Sequence, residues 1–167
     1  MDREKSRKLP PVNKAQLLAG ALSLTVGLFV YLLDRPAGGA YFLYRTGTAF
    51  TLHDALPNFL FGPFGGNLPT FIHVFSFSLL TAGLLACKKR GCQIVILLWL
   101  ITDCAFELGQ KFVRISPDVF NGIPILENTG SFFVNGTFDP LDLVAATAGA
   151  AAAYLFLVRT MKRRCLL

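Results

Sequence analysis

The stretch CQIVILLWLITDCAFELGQ, Cys92 to Gln110, lies between Arg90-Gly91 and Lys111 and carries only two formal charges, Asp103 and Glu107. At ~1.5 Å rise per residue, a helix of this length matches the ~30 Å apolar core of a bilayer. Its first half, Gln93-Ile94-Val95-Ile96-Leu97-Leu98-Trp99-Leu100, is almost wholly apolar, and its acids come afterwards. Three further stretches have the same character. Ala15 to Leu33 is uncharged, Leu68 to Cys87 holds His73 but no formal charge, and Leu141 to Val158 has Asp142 at its mouth. Peptide groups in lipid must bond one another, so segments this long cross as helices.

Composition agrees. Of 167 residues, 53% are hydrophobic and 16% charged, against roughly 25% charged in an ordinary soluble domain. The expected fold is therefore all-α, a polytopic membrane bundle of about four transmembrane helices. Residues 1–14 form a basic N-terminus, 15–158 one four-helix domain, and 159–167 a basic tail. The first helix is read as an uncleaved anchor rather than a signal peptide, although Gly38-Gly39-Ala40 offers small residues for cleavage.

The net charge of +6 gives an orientation. With the N-terminus inside, the cytoplasmic pieces hold Arg3, Lys5, Arg7, Lys8 and Lys14, then Lys88, Lys89 and Arg90, then Arg159, Lys162, Arg163 and Arg164. Only Arg35, Arg45, Lys111 and Arg114 fall outside. This positive-inside distribution predicts both termini in the cytoplasm. Basic residues so split attract anionic lipid weakly and form no stripe for nucleic acid. Membrane lipid is the expected partner.

Ionisable groups at membrane depth are costly and mark functional candidates. Asp103, Glu107, Gln110 and Arg114 recur at i, i+4, i+7 and i+11, which stacks them on one helix face. Counted from Gly91, Asp103 is about 18 Å and Glu107 about 24 Å up the helix. His73 lies about 8 Å from the other end of its own stretch, and Asp142 sits at the same end of the last helix. These groups are expected to meet in the outer half of the membrane. The chemistry they suggest is acid–base, with Asp103 and Glu107 as carboxyls and His73 as their partner. Each also has a plain structural explanation. His73 suits a helix-to-helix hydrogen bond, Asp103 a neutral carboxyl bonded across the bundle, and Glu107 an ion pair with Lys111 or Arg114. Asp139 before Pro140 fits a helix N-cap with Pro at the first helical position.

Other constellations are weaker. His53-Asp54 reads as a solvated turn, and the Gly- and Pro-rich run 55–66 as a loop on the headgroups or a re-entrant segment. Cys87 and Cys92 have no His or second Cys pair at zinc spacing, so no metal or cofactor is expected. On the last stretch, Ala145, Gly149 and Ala153 give one face of small residues, which places Gly149 at a helix contact and this helix at the centre of the bundle.

His73-Val74-Phe75-Ser76-Phe77, Glu107-Leu108-Gly109-Gln110 and the Asp142-led helix with Gly149 resemble the VanZ-like family of small bacterial membrane proteins, over roughly residues 55 to 158. The resemblance implies a multi-helix envelope protein related to low-level glycopeptide resistance, of no assigned reaction. It matches Glu107 and Gln110 to the family's acid-x-x-Gln pattern and Asp142 to the acid opening its last helix. Two departures accompany it. Phe106 stands where the family usually has a second acid, with Asp103 one turn earlier. Ala146 stands where it usually has Asn, and Thr137-Phe138-Asp139 holds no Arg.

Overall fold

The computed structural model describes residues 12–34, 61–62, 65–113 and 136–164. Among them are four helices and no strand: α1 (Lys14–Asp34), α2 (Leu68–Leu84), α3 (Lys89–Val113) and α4 (Pro140–Arg164). Arg114, His53-Asp54, most of both long loops and the basic residues 1–11 lie outside the described residues.

Helix ends depart from the apolar limits for local reasons. α2 stops at Leu84, short of Cys87, because Ala86 turns left-handed at φ 47°. The Cys87 N–H then donates to the Ala82 carbonyl at 3.1 Å, closing a Schellman-type end. α3 takes in Lys89 and Arg90, and α4 runs on through Arg159 to Arg164. Backbone hydrogen bonding continues beyond the apolar run, before it in α3 and after it in α4.

Two helices are long and apolar enough to cross a membrane, Lys89–Phe112 and Pro140–Met161. Only 17% and 28% of their apolar windows are buried by the rest of the chain, whereas the core helix of a soluble domain would be mostly covered. Ile94, Leu97, Leu98 and Ile101 on α3 and Leu141, Val144 and Leu155 on α4 are exposed. Leu18, Leu22, Val26 and Phe29 form a similar exposed stripe on the shorter apolar helix α1. Apolar stripes on this scale call for a non-aqueous neighbour.

The bundle is organised around α2, which packs against α1, α3 and α4, while α4 meets α2 and α3 and barely touches α1. The central position expected of α4 thus belongs to α2. Glycines on its neighbours explain why. A Cβ on Gly149 of α4 would lie 2.5 Å from the Phe71 carbonyl oxygen, so the two backbones touch there. On α1, a Cβ on Gly20 or Gly27 would strike Leu80 or Ile72 of α2 at 2.8 and 2.9 Å. The core beneath holds Val74, Leu79 and Ala82 of α2, Cys92, Val95 and Ile96 of α3, and Ala146, Ala150, Ala153 and Leu157 of α4.

Candidate functional site

The polar groups gather where α2 and α4 begin and α3 nears its end. Asn67, immediately before α2, starts the arrangement. Its amide donates to Asp139 Oδ2 at 3.1 Å and to Asp142 Oδ1 at 2.9 Å. The Thr70 hydroxyl donates to the same Asp142 oxygen at 2.9 Å. Asp139 in turn accepts the Leu141 N–H at 2.9 Å, capping α4 ahead of Pro140. The Leu141 N–H, with the Asn67 amide second, holds the Asp139 carboxyl below the usual carboxylate range. Asp139 and Asp142 therefore brace the start of α4 against the start of α2.

His73 and Asp103 face each other across α2 and α3, with Nδ1 3.9 Å from Oδ1. That is an ion-pair distance for a protonated imidazole and too long for a direct hydrogen bond. The His73 side chain is 49% exposed and that of Asp103 16%, so the pair opens at one edge. Its floor is aromatic. The His73 ring leans on Phe77 at 5.1 Å, Phe77 stacks on Trp99 at 4.7 Å, and the Trp99 N–H donates to Thr81 Oγ1 at 3.1 Å.

Glu107, one turn beyond Asp103, accepts the backbone N–H of Asp139. Its Oε2 is buried and has no hydrogen-bond partner among the described residues. Asp142 lies within electrostatic reach of both Asp103 and Glu107, and those two of each other. Gln110 is 7% exposed and is covered by Gly136, where an added Cβ would come within 2.6 Å of its side chain. The Lys111 ammonium sits 5.1 Å above the Phe138 ring.

His73, Asp103, Glu107 and Asp142 thus occupy one end of the bundle, with Gln110 beside them. Gly149 lies apart, two turns down α4 at the Phe71 contact. Asn67 and Thr70 were not singled out in the sequence, although Asn67-Leu68-Pro69 carries a helix-start signal at the same end as Asp142. Among the described residues no group of three His, Cys, Asp or Glu side chains is placed to hold a metal ion.

Chemically, the members divide. Asp139 and Asp142 are engaged by Asn67, Thr70 and Leu141. The His73–Asp103 pair and Glu107 Oε2 have no such structural engagement, and they combine a base, a carboxyl pair and an open edge. No family model matches the chain, and neither a curated protein nor a solved structure is similar to it.

Proposed function

We propose that this chain is a four-span protein of the bacterial inner membrane, VanZ-like, with both termini in the cytoplasm. Its polar end acts on a lipid-linked or cell-wall-related substrate at the outer face. Glu107 or Asp103 serves as general acid or base and His73 as the partner that takes up or returns the proton. The observation that carries this reading is the His73–Asp103 pair at 3.9 Å beside a buried Glu107 oxygen with no hydrogen-bond partner among the described residues. A carboxyl used as structural glue would be held by dedicated side-chain donors, as Asp142 Oδ1 is by Asn67 and Thr70. The membrane assignment is supported by the exposed apolar faces and the sidedness of the basic residues. Kinship with the VanZ-like family rests on the quoted motifs alone. The family's usual Asn position is Ala146, fully buried in the core, and the second acid is Asp103, one turn before Glu107, whereas the family usually has it at the position of Phe106.

The Asn67–Asp139–Asp142 brace favours a second reading, a non-catalytic accessory protein that docks an envelope enzyme and uses its polar residues as supports. Glu107→Gln separates the two. It keeps shape and hydrogen bonding and removes the titrating proton. In cells deleted for the gene and challenged with a cell-wall glycopeptide, the catalytic reading expects Glu107→Gln to fail to complement at wild-type protein levels. General acid–base catalysis contributes ~10²–10⁴-fold. Full complementation by Glu107→Gln overturns the catalytic reading and leaves the accessory one.

A further inference from the structure

At the opposite end of the bundle two sulfur atoms from two helices touch, and a third sulfur lies on the turn beside them. Cys87 belongs to the turn between α2 and α3, Cys92 to the first turn of α3, and Met161 to the last turns of α4. Cys92 Sγ lies 3.7 Å from Met161 Sδ and 3.7 Å from the Cys87 carbonyl oxygen. The Cys87 side chain folds back over Gly91, where an added Cβ would be 3.2 Å from its Sγ, and its thiol is within electrostatic reach of Cys92. Cys92 is 1% exposed, whereas Cys87 is only partly covered and leaves a way in from the end of the bundle.

We propose that Cys87, Cys92 and Met161 form a binding site for a soft monovalent metal ion of the Cu(I) class. Two sulfurs bound to one metal at about 2.3 Å, with tetrahedral or trigonal angles, lie about 3.8–4.0 Å apart. The Cys92–Met161 separation is therefore already close to what a shared metal needs. Two thiolates and a thioether are the donor set that selects Cu(I). Zinc is disfavoured, since it takes four nitrogen, sulfur or oxygen ligands, and no further His, Asp or Glu joins the thiols among the described residues. Binding replaces the two thiol protons, which leave to solvent, while Met161 gives a lone pair and nothing is oxidised or reduced. This site is independent of the acid–base reading of the other end.

The test uses full-length protein in detergent, reduced and anaerobic, titrated with Cu(I) against a chromophoric Cu(I) chelator. One Cu(I) per chain is expected to be withheld from the chelator, with X-ray absorption showing three sulfurs at about 2.2–2.3 Å. Met161→Leu keeps the volume and removes the sulfur. It should weaken binding by at least the ~10–100-fold that losing an outer-shell partner costs, and Cys92→Ser should abolish it. Cys104→Ser and Cys165→Ser should leave it intact. Folded wild-type protein that fails to compete, unchanged affinity in Met161→Leu, or loss of binding in Cys104→Ser or Cys165→Ser each overturns the site. If Met161→Leu does not fold, the wild-type spectrum decides, and a two-sulfur shell contradicts the proposal.

Discussion

Adding one methyl group at Gly149 tests the packing that holds the bundle together. In Gly149→Ala the new Cβ would sit 2.5 Å from the Phe71 carbonyl oxygen and 3.3 Å from the Phe71 carbonyl carbon and Cα. The shortest ordinary contact is 3.4 Å, so α2 and α4 must part by up to about 0.9 Å. The obstructing atom is backbone and cannot swing aside. A gap of 0.5–1 Å forfeits roughly a quarter to a half of each dispersion contact it opens. Val74 and Leu79 of α2 against Ala146, Ala150 and Ala153 of α4 are the contacts at risk. Overpacking of this kind costs about 1–3 kcal/mol, while Ala over Gly within a helix returns about 1 kcal/mol. The net expectation is a loss of up to ~2 kcal/mol for Gly149→Ala, and for Gly149→Leu no monodisperse protein after extraction. Thermal unfolding in detergent, followed by the single tryptophan at position 99, reads the difference. Ala148→Leu, on the exposed side of α4, should unfold like wild type. Gly27→Ala should cost less than Gly149→Ala, because it meets the side chain of Ile72 rather than backbone. A Gly149→Ala protein more stable than wild type would refute the close approach, since helix propensity alone would then be deciding.

Topology is open to reporter fusions: a periplasm-active reporter should work after Pro117 and fail after Gly91 and Leu167, and activity at Gly91 would contradict the four-span arrangement. Acid should weaken the α4 brace. The Asp139 carboxyl is held low, so its contribution is complete above the ordinary Asp value of about 4 and is lost as pH falls through the lowered native value. Asp139→Asn keeps an acceptor for Leu141 without titrating, so its unfolding temperature should fall less than that of wild type between pH 6 and pH 3; equal losses would show that Asp139 is not the group responsible.

Much of the architecture was legible because long, nearly uncharged apolar runs fold as helices. The apolar runs match the cores of the four helices, and Asp139-Pro140 marks the start of α4 in both sequence and structure. Helix ends were less legible, since hydropathy follows burial in lipid whereas a helix ends where its hydrogen bonds end, as at Ala86. The central helix was misjudged for a related reason. Small residues on α4 announce a close approach but not whose. α2 meets the glycines of its neighbours with the Phe71 backbone and the Ile72 and Leu80 side chains, and offers its own Gly83 to Gln16 and Leu17 of α1. In the site, the charged members stood out because each is expensive at membrane depth. Asn67 and Thr70 carry no charge, and their worth appears only when Asp139 and Asp142 are brought opposite them.

The most direct test of the account is the side from which the polar end is reached. Thr70→Cys, in a background with the native cysteines replaced by serine, puts a thiol beside Asp142, and Lys89→Cys puts one at the other end of the bundle. The account predicts that a membrane-impermeant maleimide added to spheroplasts modifies position 70 at once and position 89 only after the membrane is opened. Labelling of position 89 from outside, with position 70 reached only after lysis, would contradict it.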